Sequence, residues 1–144
     1  MITEFIFEYY SDDFSCIHKL DKQPINNCPM HTHDTIEIYY FISGNCNYLI
    51  EEIKYYLKPH DILFMRPYEA HKLNVDSTQT PYERIVINIK PNLFSSLDPE
   101  NSLTAQMFNR PLGTSNCFNS SDFGHTVCSD CFEMIASENK KTHV

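Results

Sequence analysis

The stretch from His31 to Gly44 reads HTHDTIEIYYFISG and combines a strand signal with a row of polar side chains. β-Branched and aromatic residues dominate its second half, as is typical of a β-strand. His31 and His33 are two residues apart and Glu37 keeps the same parity, so on an extended chain all three side chains face one way. A buried carboxylate needs a partner, and imidazoles on its own face can supply one. The pattern predicts a polar cluster on the inner face of a sheet.

Further strand-like runs surround this stretch, separated by turn-like residues and without a helical period. The runs are TIEIYYFI (35–42), CNYLI (46–50), IKYYL (53–57), DILFM (61–65) and ERIVINIK (83–90). Parallel strands would need crossovers of about a dozen residues, for which there is no room. We therefore predict a mainly β fold with a small antiparallel barrel over residues 31–90. The segments IFEYY (6–10) and FSCIHKL (14–20) are expected to be earlier strands of the same sheet.

His71 follows the run DILFM by a few residues and can reach the same interior if the strands fold back on each other. We predict that His31, His33, Glu37 and His71 form a metal site. Three imidazoles and one carboxylate suit a divalent transition metal such as Zn, Ni, Fe, Mn or Cu. The alternative is a hydrogen-bonded polar patch that binds no metal.

Two stretches resemble the paired motifs of the cupin family. HTHDTIEIYYFISG resembles the first motif and HDILFMRPYEAH the second, with His71 in the position of its metal-binding histidine. The resemblance implies a cupin-like antiparallel β-barrel, or double-stranded β-helix, with all four ligand positions filled. The departures lie in the turns: His60, Arg66 and Tyr68 stand where the second motif usually has Gly, Pro and Gly, and Glu52 stands where a turn glycine is common. These departures leave the turn geometry open.

A narrower resemblance includes YLIEEIKYYLKPHDILFMRPYEAHKL (48–73) and YERIVINIKPNLF (82–94). With the first motif, these segments resemble the N-terminal sensing domain of AraC/XylS-type transcription regulators. The resemblance implies a small-molecule effector inside the barrel, a homodimer formed through a C-terminal helix, and DNA binding only through a C-terminal domain that this sequence lacks. The ending ENKKTHV has no helix stop signal, so we expect the sequence to be a piece of a longer one.

Four residues are candidates for effector binding. They are Tyr39, Phe41, Tyr48 and Arg84. A tyrosine offers an apolar face and a hydroxyl group, and a guanidinium can hold a carboxylate. The alternatives are ordinary strand composition for the aromatic residues and a surface ion pair between Glu83 and Arg84.

We divide the chain into an effector-binding barrel (1–98) and a loop and helical dimerisation segment (99–144). A short helix is expected within 99–110, a loop over 111–121 and a helix from Asp122 to about Asn139. The apolar stripe predicted to form the dimer contact contains Val127, Cys131, Phe132 and Ile135. Cys128 and Cys131, three residues apart, resemble half a zinc site or a redox pair, but buried free thiols fit the stripe better.

The composition narrows the choice of function. The formal charge is −8 and the chain has three arginines, so no basic stripe is available for direct binding of nucleic acid. No signal peptide and no run long enough to cross a bilayer are visible, which predicts a cytoplasmic protein with reduced cysteines. The leading hypothesis is a non-enzymatic sensing domain. The rivals are a metal-dependent cupin enzyme, such as a dioxygenase or isomerase, and a pure dimerisation module.

Overall fold

A computed structural model describes residues 3–23, 25, 28–76 and 81–119 of the chain. The described residues form nine strands and two helices. The strands are β1 (Thr3–Tyr10), β2 (Phe14–Asp21), β3 (Ile36–Ser43), β4 (Cys46–Ile50), β5 (Ile53–Tyr56), β6 (Asp61–Met65), β7 (His71–Val75), β8 (Tyr82–Ile89) and β9 (Cys117–Asn119). The helices are α1 (Pro91–Leu97) and α2 (Ser102–Phe108).

The strands form two antiparallel sheets. The larger sheet has the order β1-β2-β8-β3-β6-β9, and the smaller sheet has the order β5-β4-β7. Every strand pair is antiparallel. The mainly β, antiparallel fold predicted from the sequence is confirmed, and each predicted strand run forms a strand, including the two N-terminal ones.

The main hydrophobic core includes inward-facing residues from both sheets. Tyr39 and Phe41 of β3 pack there with Tyr48 and Ile50 of β4, and all four are at most 6% exposed. Because successive strand residues point to opposite faces, the odd-numbered positions of β3 face this interior together with Glu37. Burial of each large apolar side chain contributes about 1.5–3 kcal/mol, which fixes the register of β3 and hence the direction of Glu37.

A second core lies on the outer face of the larger sheet. It contains Ile85, Ile87 and Ile89 of β8, and Leu93 and Phe94 of α1 pack against it. The sequence analysis did not predict α1, which starts at a proline that is pre-organised for the first helical turn. The helix α2 lies within the segment 99–110, where a short helix was expected.

Beyond α2 the structure differs from the prediction in one element. Residues 117–119 form β9 and pair with β6, although the sequence predicted a loop over 111–121. A strand of three residues is too short to show an alternating pattern, and the edge of β6 imposes it. The helix predicted over 122–139 lies outside the described residues. Among the described residues, no helix has the length and apolarity that crossing a membrane requires.

Five described non-glycine residues lie in the left-handed backbone region, and three of them stand in turns between strands β4 and β7. The φ angles are 54° for Glu51, 74° for His60 and 65° for Tyr68. Backbone hydrogen bonds hold these turns: the amide of His60 donates to the carbonyl of Phe41 at 2.7 Å, and that of Tyr68 to His33 at 2.8 Å. Two of the positions where the cupin motif usually has glycine therefore keep a glycine-like backbone, at a cost of about 1–2 kcal/mol each.

Candidate functional site

His31, His33, Glu37 and His71, here called the His–Glu cluster, meet at one end of the barrel. One ring nitrogen from each histidine lies within 4.8 Å of the others, a spacing that could hold a metal ion. Glu37 borders this set, with its Oε2 3.5 Å from Nε2 of His71 and its Oε1 3.8 Å from Nε2 of His33. The parity of β3 and the fold-back to β7 thus bring together the residues that the sequence singled out.

Backbone hydrogen bonds join two members of the cluster, and the four side chains differ in their exposure to solvent. His31 forms an isolated bridge with His71, the first residue of β7, through two backbone hydrogen bonds of 3.0 Å. Exposure falls across the cluster from His31, which is exposed, through His33 to His71, which is 1% exposed. The site is therefore open to solvent on the His31 side and closed at His71.

Each imidazole is held through its Nδ1 atom. This atom lies 3.1 Å from the carbonyl oxygen of Pro29 in His31, 3.2 Å from that of Thr35 in His33, and 2.8 Å from that of Glu69 in His71. A carbonyl oxygen can only accept, so in the neutral imidazoles Nδ1 carries the proton and Nε2 keeps its lone pair. Metal-binding histidines are commonly oriented in this way by a carbonyl behind the ring.

Three polar atoms of the cluster are buried and have no hydrogen-bond partner among the described residues. They are Nε2 of His33, Oε2 of Glu37 and Nε2 of His71. Leaving such an atom unsatisfied costs about 1–3 kcal/mol, and buried polar groups in proteins normally have partners. The two Nε2 atoms are acceptors when the imidazoles are neutral, Oε2 is an acceptor when Glu37 is ionised, and the three atoms lie next to one another. This donor set fits a divalent cation.

Burial controls the protonation of the cluster. It raises the pKa of Glu37 to about 7, against smaller opposing effects of the Lys19 charge and of hydrogen bonding by Asn88. It lowers the pKa of His71 to about 4 and also lowers that of His33. At neutral pH the imidazoles of His33 and His71 are therefore neutral, the form that binds metals.

Two residues that the sequence analysis did not identify support the cluster. The Thr35 hydroxyl donates to Oδ1 of Asn88 at 2.9 Å and lies 2.9 Å from Nδ1 of His33, from which it can accept. Asn88 lies directly opposite Glu37 in the β3–β8 ladder, so the two side chains project to the same face of the sheet, and the Asn88 amide works to lower the pKa of Glu37. The only sequence signal for Asn88 is a polar residue within the apolar run ERIVINIK, and its partner cannot be known without the strand register.

A second set of buried polar residues lies beside the His–Glu cluster, and its carboxylate is fully hydrogen-bonded. It consists of Glu69, Arg110, Gly113 and Asn116, here called the Glu69 cluster. The Glu69 carboxylate accepts from both terminal nitrogens of Arg110 at 2.8 and 3.1 Å, and from the amide of Gly113 at 2.8 Å. The side chain of Asn116 and the amide of Arg66 donate to it at 3.0 and 3.1 Å. This cluster ties residues 110–116 to the turn that carries His71.

The residues predicted to bind an effector are deeply buried. The Tyr48 ring lies 6.2 Å from the His71 ring and 4.9 Å from the Tyr39 ring, centroid to centroid. The hydroxyl groups of Tyr39 and Tyr82 are hydrogen-bonded at 2.5 Å. Phe41 is 0% exposed and lies in the same core. These rings form a continuous aromatic wall from the His–Glu cluster into the barrel.

Arg84 forms a buried ion pair with Asp21, and its guanidinium lies 4.2 Å from the centroid of the Tyr82 ring. The alternative of a surface ion pair between Glu83 and Arg84 is therefore wrong, because neighbouring strand residues point to opposite faces. Glu83 instead contacts His18 at 2.5 Å. The residues Val127, Cys128, Cys131, Phe132 and Ile135 lie outside the described part of the chain, so the dimerisation and cysteine-pair predictions stay predictions.

Solved structures similar to this chain include cupins. A cupin superfamily protein from Desulfitobacterium hafniense DCB-2 is 12% identical, with 62% of this chain and 78% of that chain covered and a TM-score of 0.52. An RmlC-like cupin with a double-stranded β-helix fold from Methanocaldococcus jannaschii is 11% identical over 65% of this chain and 86% of that chain, with a TM-score of 0.52. A putative mannose-6-phosphate isomerase from Ralstonia eutropha JMP134 is 13% identical over 62% and 85%, with a TM-score of 0.51. At these identities the likeness shows the fold alone, which is that of a cupin barrel.

The family of this chain is given by a comparison of its sequence with a family model. The sequence model of the AraC-like ligand binding domain matches residues 20–113, which include all of the barrel from β3 to β8 and, of the Glu69 cluster, Glu69, Arg110 and Gly113. The chain belongs to this family of ligand-binding domains. The resemblance noted in the sequence is thereby confirmed. No curated protein sequence matches the chain significantly.

Proposed function

We propose that this chain is the small-molecule-sensing domain of an AraC-type transcription regulator, with the effector bound inside the barrel at the His–Glu cluster. One observation carries the proposal: three adjacent buried polar atoms of His33, Glu37 and His71 have no hydrogen-bond partner in the described part of the chain. A ligand or ion in the barrel would satisfy all three atoms at once. The family of ligand-binding domains supports the same role.

A divalent transition metal would be held by His31, His33, Glu37 and His71. Such an ion would act as a Lewis acid that anchors an oxygen or nitrogen atom of the effector. The protein supplies the carbonyls that orient the three rings, and the burial that keeps two of them neutral. Zn, Ni, Fe and Mn are all compatible with this ligand set.

The residues along the aromatic wall would contact the rest of the effector. They are Tyr39, Phe41 and Tyr48, with Arg84 beyond them. An effector can switch a regulator only if it binds one arrangement of the domains more tightly than another. The barrel (1–98) would bind the effector, and the segment 99–144 would form the homodimer through Val127, Cys131, Phe132 and Ile135. DNA would be bound by a further domain of the same protein, in the cytoplasm.

The metal site is tested by elemental analysis and thermal unfolding of untagged protein. We expect a stoichiometric first-row metal after purification, or a rise in Tm of roughly 5–10 °C when Zn²⁺ or Ni²⁺ is added at about a hundredfold excess over its Kd. His71→Ala should abolish both effects, and the conservative variant Glu37→Gln should weaken them. His18→Ala is the matched control, because His18 contacts Glu83 away from the cluster. Equal metal responses in His71→Ala and in the wild type would refute the metal site.

The regulator and the cupin enzyme are separated by the reading frame beyond Val144. A regulator predicts a continuation of roughly a hundred residues with two helix-turn-helix units, and a purified longer protein that binds DNA through them. A dimer of the 144-residue chain in light scattering, lost in Phe132→Glu, would support the proposed dimer contact. A stop codon directly after Val144 would favour the enzyme instead.

A further inference from the structure

Among the described residues of the barrel, Lys19 is a cation that the site described above does not use. Lys19 lies directly opposite Arg84 in the β2–β8 ladder. Residues directly opposite each other on antiparallel strands project to the same face, and Arg84 packs over Tyr82 of the interior core. Lys19 therefore points into the barrel, on the same side as Asp21.

The two cations on this wall differ in their partners. Arg84 is 7% exposed and its charge is neutralised by Asp21, which also accepts from the hydroxyl of Thr3 at 2.6 Å. Lys19 is partly buried, yet it is absent from the ion pairs and side-chain hydrogen bonds found in the described part of the chain. An ammonium that is partly withdrawn from water without a counter-ion is unfavourable, so a partner at this position would be stabilising.

The charges inside the barrel do not cancel. Lys19 and Arg84 are positive, and Asp21, the negative side chain beside them, is already paired with Arg84. Glu37 acts on Lys19 through its charge but lies beyond ion-pair distance of it. This wall is thus one negative charge short, although the whole chain carries −8. A metal at the His–Glu cluster would increase this shortage.

We propose that the effector is a small organic anion whose carboxylate or phosphate group binds Lys19 inside the barrel. This inference rests on the proposed sensing function and names its ligand class. The anion supplies the missing counter-charge for Lys19, and the aromatic wall of Tyr39 and Tyr48 accepts an apolar body. Lys19 thus binds the anion. Arg84 is less able to do so, because it is already paired with Asp21.

The test measures binding of small probes to the 144-residue chain by NMR chemical-shift changes. The probes are acetate, hexanoate and benzoate, each with its neutral amide, together with phenyl phosphate and benzylamine. We expect the carboxylates or phenyl phosphate to bind more tightly than the amides and benzylamine. Relative affinities of benzoate and phenyl phosphate then distinguish a carboxylate from a phosphate effector.

Variants show whether Lys19 is responsible. Lys19→Gln should weaken binding of the best anion by about 10- to 100-fold, as expected for loss of a charged hydrogen bond, and Lys19→Arg should retain most of it. Lys22→Gln is the matched control, because Lys22 carries the same charge on the surface next to Glu4. Unchanged anion binding in Lys19→Gln, or amides that bind as well as carboxylates, would overturn the inference and leave the sensing function standing. If no probe binds and the metal test of the His–Glu cluster also fails, the sensing proposal itself is refuted.

Discussion

Glu69 and His71 are two residues apart and both are almost completely buried, yet their polar atoms are in opposite situations. The Glu69 carboxylate accepts five hydrogen bonds, from Arg66, Arg110, Gly113 and Asn116. The Nε2 atom of His71 has no partner among the described residues. The turn before β7 thus carries a carboxylate whose hydrogen bonds all come from the chain itself, and the first residue of β7 carries an imidazole nitrogen that is free to bind a ligand or ion.

The difference separates a structural cluster from a binding site. A fully satisfied buried network stabilises one arrangement of the chain, and here it holds residues 110–116 against the turn. A cluster with unpaired atoms lowers stability and is retained where a ligand completes it. The two are connected, since the backbone carbonyl of Glu69 accepts the Nδ1 proton of His71 at 2.8 Å. The saturated cluster therefore holds the unsaturated one in position.

The largest effect is expected when the saturated cluster is broken. Glu69→Ala leaves Arg110 as a buried, unpaired cation, so we predict a loss of about 3–5 kcal/mol in the free energy of unfolding. Urea denaturation measures this loss. Glu100→Ala, at an exposed turn position, is the control and should change stability by less than about 0.5 kcal/mol. A cost below about 1 kcal/mol for Glu69→Ala would contradict the structural role of this cluster.

The two buried carboxylates should respond to pH with opposite signs. Burial raises the pKa of Glu37 to about 7 from 4.5, so the folded state binds its proton more tightly and stability falls as the pH rises from 4.5 to 7. In metal-free protein, Glu37→Gln should therefore become more stable relative to wild type between pH 5 and pH 8, by up to about 3 kcal/mol. Unfolding by urea at several pH values with a chelator present measures the difference.

Glu69 gives the opposite case. Burial alone would raise its pKa, but hydrogen bonds from Arg110, Gly113 and Arg66 outweigh that effect and lower it. Its stabilisation is therefore present above its unfolded pKa of about 4.5 and is lost as the pH falls through the lower folded value. Glu69→Gln should flatten the acid limb of the stability curve.

The Glu37 prediction has its own contradicting outcome. A Glu37→Gln variant whose stability has the same pH profile as wild type would show that burial does not raise the pKa of Glu37.

A smaller effect is expected for the residue that orients the binding site. Asn88→Ala removes the acceptor of the Thr35 hydroxyl and the amide next to Glu37, so metal affinity should fall about 10- to 100-fold. Stability should change by only about 1 kcal/mol. Asn74→Ala is a matched control, because its amide bonds Asn47 in the other sheet. Isothermal titration with Zn²⁺ compares the two variants, and equal affinities would refute the positioning role of Asn88.

The smallest effect concerns the turn between the two clusters. Tyr68 is 69% exposed and has a φ of 65°, so Tyr68→Gly should relieve backbone strain at little loss of packing. We expect stabilisation by up to about 1 kcal/mol, seen as a rise in Tm. His60→Gly should gain less, because the His60 ring is hydrogen-bonded to the Tyr40 hydroxyl at 2.7 Å. Destabilisation by Tyr68→Gly would show that its side chain has a further contact role.

Much of the barrel could be predicted from local patterns. Strand runs such as DILFM and the alternation of Glu37, Tyr39 and Phe41 follow from the two-residue period of a strand, which depends only on neighbours in sequence. The four residues of the His–Glu cluster were found in the same way, with the motif spacing adding His71. The helix α1 and the strand β9 were missed, because a seven-residue helix and a three-residue strand carry too little pattern of their own.

By itself, the sequence determined which side chains face the barrel interior, since one residue of shift would expose the whole apolar set of β3. Only the tertiary structure decided which of those polar side chains are satisfied. Glu69 meets Arg110, Arg84 meets Asp21 and Asn88 meets Glu37 across 41, 63 and 51 residues of chain. Such partners depend on strand order and register, which arise from the packing of the whole barrel. Among the described residues, the same packing left Nε2 of His71 without a hydrogen bond and Lys19 without an ion pair, and it is at these residues that binding is proposed.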